Sequence, residues 1–224
     1  MIKLQAVFWL FVFIFGLIGA TRGWLREVFV TASLVLAFVI VALFFKGTEP
    51  MVVVTDTTTQ VVLPEAWAQL SAQLSQQWGE EVRCQTTDGQ NQPVQWPWNC
   101  HAALKPYLRA EFWKRTLLLL LFAFIGYQTA GLGRLAGRTA RTRKSELVLG
   151  ALMGAVNGYL LVGSLWFYLV AYDYPVRGIV PDSTPPTLLR YMFPALALQT
   201  QVLGVPLVFI VLLILFVFLL AAVL

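Results

Sequence analysis

Two stretches near the start of the chain, Ala6 to Ala20 and Val28 to Phe45, contain no ionised side chain. Runs of this kind constrain the fold more than any other feature. A helix of about 20 apolar residues crosses the hydrocarbon of a bilayer. Inside lipid, every backbone N–H and C=O must be satisfied within the chain, which leaves helices and closed barrels as the only spanning structures. Further apolar runs follow at Phe112 to Leu132, Glu146 to Tyr172 and Gly204 to Leu224. The chain of 224 residues is 58% hydrophobic and only 12% charged, so little remains for a soluble core of ordinary size. The sequence therefore predicts an all-α integral membrane protein. It would have about five transmembrane helices and a small disulfide-linked extracytoplasmic loop domain. The expected divisions are a transmembrane hairpin over 1–45, the loop domain over 46–111 and helices three and four over 112–172. A proline-rich linker over 173–201 and a fifth helix over 202–224 complete the chain.

Orientation follows from the basic residues. Arg22 and Arg26 fall on the same side as Arg134, Arg138, Arg141, Arg143 and Lys144, whereas Lys3, Arg177 and Arg190 fall opposite. The positive-inside rule places the first group in the cytoplasm, facing lipid. Arg134, Arg138 and Arg141 share one helical face, suited to anionic headgroups. The N-terminus, the 46–111 loop and the proline-rich linker then face outward, and the C-terminus ends inside. The net charge of +5 reads as orientation and lipid contact, not as nucleic-acid binding. A cleaved leader is the competing reading of the first run. Cutting after Ala20 would put Ile18 where a small residue is needed, so the run is expected to stay as a helix.

Packing signals concentrate in the fourth run. Gly150, Gly154 and Gly158 recur every four residues, forming a smooth ridge that lets two helix backbones approach closely. Asn157 lies beside the ridge and is expected to hydrogen-bond between helices. Tyr127, Gln128 and Thr129 offer similar groups near the end of the third run. Gly23 permits a tight reversal between the first two runs. Trp24 suits the interface, and Glu27 suits the start of the second helix. Trp113, Lys114 and Arg115 mark the entry to the third.

The long polar segment opens with Met51 to Leu63, read as extended or irregular. A helix is expected over Pro64 to Val82, with Trp67, Leu70, Leu74 and Trp78 on one face. Asn99 is a candidate cap for a short helix. Cys84 and Cys100 bracket a turn-rich stretch and are expected to form a disulfide, because the loop faces an oxidising compartment. Glu65, Glu80, Glu81, Asp88 and His101 have no recognisable catalytic spacing. One histidine and two cysteines supply few soft metal ligands. No catalytic residues, metal or cofactor are expected. The spans themselves are expected to lack ionisable groups in their central parts, which argues against an ion relay.

The hairpin with Arg22-Gly23-x-x-Arg26-Glu27, the third helix, the basic turn and Glu146-x-x-x-Gly150-x-x-x-Gly154-x-x-x-Gly158 together resemble the colicin V production protein (CvpA) family. The resemblance covers Ala6 to Phe45 and Phe112 to Tyr172. It departs from the family at Glu146, where Asp is favoured, at Leu147 and Asn157, where Arg is frequent, in the long loop, and in the appended fifth run. That family comprises multi-span bacterial inner-membrane proteins linked to colicin V production, envelope homeostasis and membrane anchoring of periplasmic proteases. The resemblance and the packing signals imply a non-enzymatic scaffold or accessory subunit. Its expected partners are the bilayer with its anionic headgroups and a membrane protein or further copies of itself. A component of a transporter or secretion channel is the alternative.

Overall fold

The computed structural model describes residues 4–45, 51–54, 59–62, 65–82, 84–85, 94–95, 99–129, 144–176, 193, 201–202, 205–207, 210–211 and 214. Five helices run through them: α1 (Leu4–Arg22), α2 (Trp24–Phe44), α3 (Glu65–Trp78), α4 (Lys105–Thr129) and α5 (Lys144–Ala171). Three of these, α1, α2 and α5, are long and apolar enough to cross a membrane. The third expected span corresponds to α4. That helix starts at Lys105, well before Phe112, and carries Lys114 and Arg115 ahead of its apolar stretch, so it is not among the three. The fifth expected span lies largely outside the described residues. So do Arg134, Arg138, Arg141, Arg143, Asp88, Arg177 and Arg190.

The loop segment is not purely helical. Strands β1 (Met51–Val54) and β2 (Thr59–Val62) form an antiparallel hairpin, and β2 also pairs with β4 (Val94–Gln95). Strand β3 (Cys84–Gln85) pairs with β5 (Asn99–Cys100). Asn99 is therefore a strand residue and caps no helix. Its backbone is committed to the ladder, leaving helix initiation to the turn at His101–Leu104 before α4. A last pair joins β6 (Gln201–Val202) and β7 (Val205–Pro206).

The helix α3 buries Trp67 and Leu74, with Leu70 partly covered, while Trp78 stays 57% exposed. Three of the four residues on the expected face thus point inward. The helix ends where Gly79 takes φ +68, a left-handed turn open to glycine at little cost. Ser75 closes that end by accepting a hydrogen bond from the Val82 N–H at 2.8 Å.

The four long helices α1, α2, α4 and α5 do not stack in chain order. The helix α5 packs along α1 and along α2, and α4 packs along α2 and touches α5. The first two helices, joined at Gly23, barely touch each other because α5 wedges between them. The expected 1–45 hairpin is therefore connected in sequence but parted in space. The buried side chains Phe8, Leu34, Phe38, Leu119, Trp166 and Phe167 belong to one core that reaches from these helices into the loop. Trp9, Phe13 and Leu17 of α1, with Leu117, Leu121 and Phe124 of α4, remain outside.

Candidate functional site

The glycine ridge is used inside the chain. A Cβ on Gly150 would collide with the carbonyl oxygen of Gly19, and one on Gly154 with the carbonyl oxygen of Phe15 and the Cα of Gly19. A Cβ on Gly158 would come within 2.8 Å of the Phe15 Cβ and 3.1 Å of the Val12 Cα. The partner of the ridge is thus α1, and Gly19 is its counterpart there. Van der Waals packing of backbones is the main attraction available to helices in lipid, and close approach maximises it. Gly126 performs the same service between α4 and α2, facing Val30 and Ser33. The Ser33 hydroxyl donates to the Phe122 carbonyl at 2.6 Å across that contact. Gly126 has no glycine four residues away and Gly19 has only Gly23, so neither shows the three-membered repeat that marks the α5 ridge.

Next to the ridge, polar side chains from four helices converge. Asn157, fully buried on α5, donates from Nδ2 to the Glu27 carbonyl at 2.9 Å and to Glu27 Oε2 at 2.8 Å. Its Oδ1 accepts from Thr31 Oγ1 at 2.6 Å. Glu27 is itself fully buried. The expected interhelical role of Asn157 is thus seen in its bonds to α2. Arg22, at the end of α1, approaches the other carboxylate oxygen of Glu27 at 3.8 Å. It also donates to the Tyr127 carbonyl at 2.8 Å and lies 4.6 Å over that ring. Arg22 therefore turns partly inward instead of simply facing lipid, because a buried carboxylate and a ring face offer it partners. Arg26 is half-buried and Lys144 is exposed.

Glu27 extends an expectation. It lies in the first turn of α2, as expected from the macrodipole, but it sits inside the bundle at the level of Asn157 and so does more than start the helix. Its Oε1 has no hydrogen-bond partner among the described residues. A buried ionisable group in a spanning helix is costly and marks a functional or strongly structural position. One position in the sequence hinted at this: Glu27 and Thr31 fall four apart, on one face of α2.

At the opposite end of the bundle, Arg115 is also fully buried. It pairs with Glu111 Oε2 at 2.6 Å and lies over the rings of Phe45 and Tyr172 at 4.9 and 5.2 Å. Arg115 thus locks α4 to the ends of α2 and α5. Burial pushes the Glu111 carboxyl up, but hydrogen bonds from Lys114 and Arg115 outweigh it and hold the group below its ordinary range. Asp173, just past α5, is pushed up by burial, with Lys105 and a hydrogen bond from the Cys100 backbone opposing.

In the loop, Cys84 stands directly opposite Cys100 in the β3–β5 register, and Cys100 is buried. Of the acidic candidates, Glu80 approaches His101 Nε2 at 3.5 Å, but its side chain is 72% exposed. The other His101 nitrogen accepts from the Ala103 N–H at 3.3 Å. This is a surface contact closing a turn.

On the face of the α1–α5 pair away from α2, a groove of about 490 Å³ runs between Trp9, Val12 and Gly16 and the facing Ala151, Leu152 and Ala155. No protein-family model matches the chain, and neither does any curated protein or solved structure.

Proposed function

We propose that this chain is a non-enzymatic scaffold or accessory subunit of the bacterial inner membrane, CvpA-like in kind, which packs against partner membrane proteins or its own copies. The observation that carries the reading is the α1–α5 groove with small residues Gly16, Ala151 and Ala155 along it. Small residues let a further helix come close enough for backbone packing in lipid. The bundle behind the groove is held by direct contacts between helices, namely Gly150 on Gly19 and Asn157 on Glu27. A body held in this way suits a platform better than a machine whose halves must rock.

In this reading Arg22, Arg26 and the 134–144 basic cluster face the cytoplasm, and the 46–111 loop faces outward. The contact of Arg22 with Tyr127 supports a common side for the first turn and the end of α4. An outward loop would let Cys84 and Cys100 stay bonded, and their opposed register favours that bond. The test is cross-linked purification from native membrane of the parent and of Ala155→Leu, which fills the groove. The parent should retain a partner or a second copy, and the variant should lose it at unchanged thermal stability. A parent that is a solitary monomer in every detergent would defeat the proposal.

The alternative, a transporter or export-channel component, is favoured by one observation, the fully buried Glu27 beside Arg22. Flux through liposomes that disappears in Glu27→Gln would support it over the scaffold.

A further inference from the structure

The end of the bundle away from Arg22 contains a cavity of about 500 Å³, within the range of ligand sites. It lies between the start of α4 and the segment leaving α5. Lys105 and Arg109 line it from α4, four residues apart and so on one helical face. Asp173 lines it from the other wall, with Leu108, Tyr172 and Val176 providing apolar surface. Two positive groups thus face one negative group, and a single positive charge is left over. Asp173 already interacts with Lys105. Arg109 has no ion pair among the described residues, so the surplus centres on it.

The setting of the cavity is equally specific. Arg109 lies roughly 9 Å along α4 before Arg115, the residue that meets the ends of α2 and α5 at Phe45 and Tyr172. The polar layer on each face of a bilayer is about 5–7 Å deep. Arg109 therefore stands on the water side of the apolar helix ends, from where its long side chain reaches back toward the level of lipid phosphates. The wall opposite is held in an uncommon backbone shape. Asp173 and Tyr174 take φ +56 and +45, left-handed values that L residues adopt at a cost. These values belong to the turn that caps the C-terminus of α5, where the Asp173 N–H bonds to the Val170 carbonyl at 3.4 Å. The same cap bonds the Tyr174 N–H to the Leu169 carbonyl at 2.8 Å and leads into Pro175 and Val176, which also line the cavity.

We infer that this cavity binds the phosphodiester of an anionic membrane phospholipid. The guanidinium of Arg109 and the ammonium of Lys105 hold the phosphate, and the apolar wall takes the start of the lipid's glycerol and acyl portion. One net positive charge matches one net negative lipid. Such a lipid would tie the outer ends of α4 and α5 together. The site is distinct from the basic cytoplasmic turn and goes beyond the scaffold reading, since it depends only on the helices lying in a membrane.

The test is lipid retention by the full chain, read by native mass spectrometry from nanodiscs that mix phosphatidylglycerol with phosphatidylcholine. The parent should retain phosphatidylglycerol preferentially. Arg109→Gln should weaken retention about tenfold, the loss expected for one charge-assisted hydrogen bond. Asp173→Asn should strengthen it, because a negative charge leaves and Asn tolerates the left-handed backbone well. That second variant keeps the test decisive should Arg109→Gln fold poorly. Equal retention of both lipids by the parent, or no response to either variant, would overturn the inference. Glycerol 3-phosphate displacing the lipid at equal concentration would overturn the lipid assignment in favour of a soluble phosphate ester.

Discussion

Replacing Gly154 with alanine adds one methyl group at the tightest point of the α1–α5 contact. The new Cβ would meet the Phe15 carbonyl oxygen, the Gly19 Cα at 2.9 Å and the Gly19 N at 3.0 Å. All three are backbone atoms, so no side chain can rotate away, and the helices must part. Overpacking costs about 1–3 kcal/mol, and a backbone obstacle puts this case near the upper end. Alanine returns about 1 kcal/mol through helix propensity. The net loss is about 2 kcal/mol, roughly a thirtyfold shift toward the separated helices. Gly16→Ala is the matched control. Its Cβ would meet the Ala151 carbonyl oxygen at 3.4 Å, the Ala155 Cβ at 3.6 Å and the Ala155 N at 3.9 Å, all ordinary contacts. The propensity term then dominates, and stability should hold or rise by up to about 1 kcal/mol. Thermal unfolding in mild detergent, followed by a fluorescence pair on α1 and α5, measures both. Equal stabilities for the two variants would refute the assignment of the ridge to α1.

Further outcomes follow from the polar contacts. Asn157→Ala removes both bonds to Glu27 and strands a buried carboxylate, which should cost about 3 kcal/mol in the same unfolding assay. Ser33→Ala removes one bond to a helix carbonyl and should cost about 1 kcal/mol or less, because the average interhelical bond in lipid is weak. Glu111 is held below its ordinary value of 4.5. Its contribution is therefore complete above that pH and declines as pH falls through the lowered value. Acid titration of stability should show this decline, and Glu111→Gln should remove it while costing about 1–3 kcal/mol, because Arg115 keeps its contacts with Phe45 and Tyr172. Cys100→Ser should destabilise the loop by about 3 kcal/mol relative to the non-reduced parent, if the proposed bond closes the 84–100 loop. Limited proteolysis with and without reductant reads that difference.

Membrane helices declare themselves through long charge-free runs, and α1, α2 and α5 appear close to where those runs lie. Length and apolarity are properties of a segment, so they need no knowledge of neighbours. The Gly150–Gly154–Gly158 ridge was legible for the same reason: its spacing alone presents one bare face. Pairing was not. Helix α4 begins in polar sequence at Lys105 because loop packing around Leu104 and Leu108 supports its first turns, and apolarity alone cannot register that support.

What the amino-acid order determined by itself is which segments are helical and apolar, and that one of them offers a glycine face. Only the tertiary structure decided that this face is taken up by α1, that α5 separates two helices adjacent in the chain, and that Glu27 and Arg115 are inside. The physical reason is that a charge next to an apolar run can point toward water, lipid or another helix with the same local sequence. The choice depends on whether a partner such as Asn157 or Glu111 waits at hydrogen-bonding distance, and such partners come from segments distant in the chain.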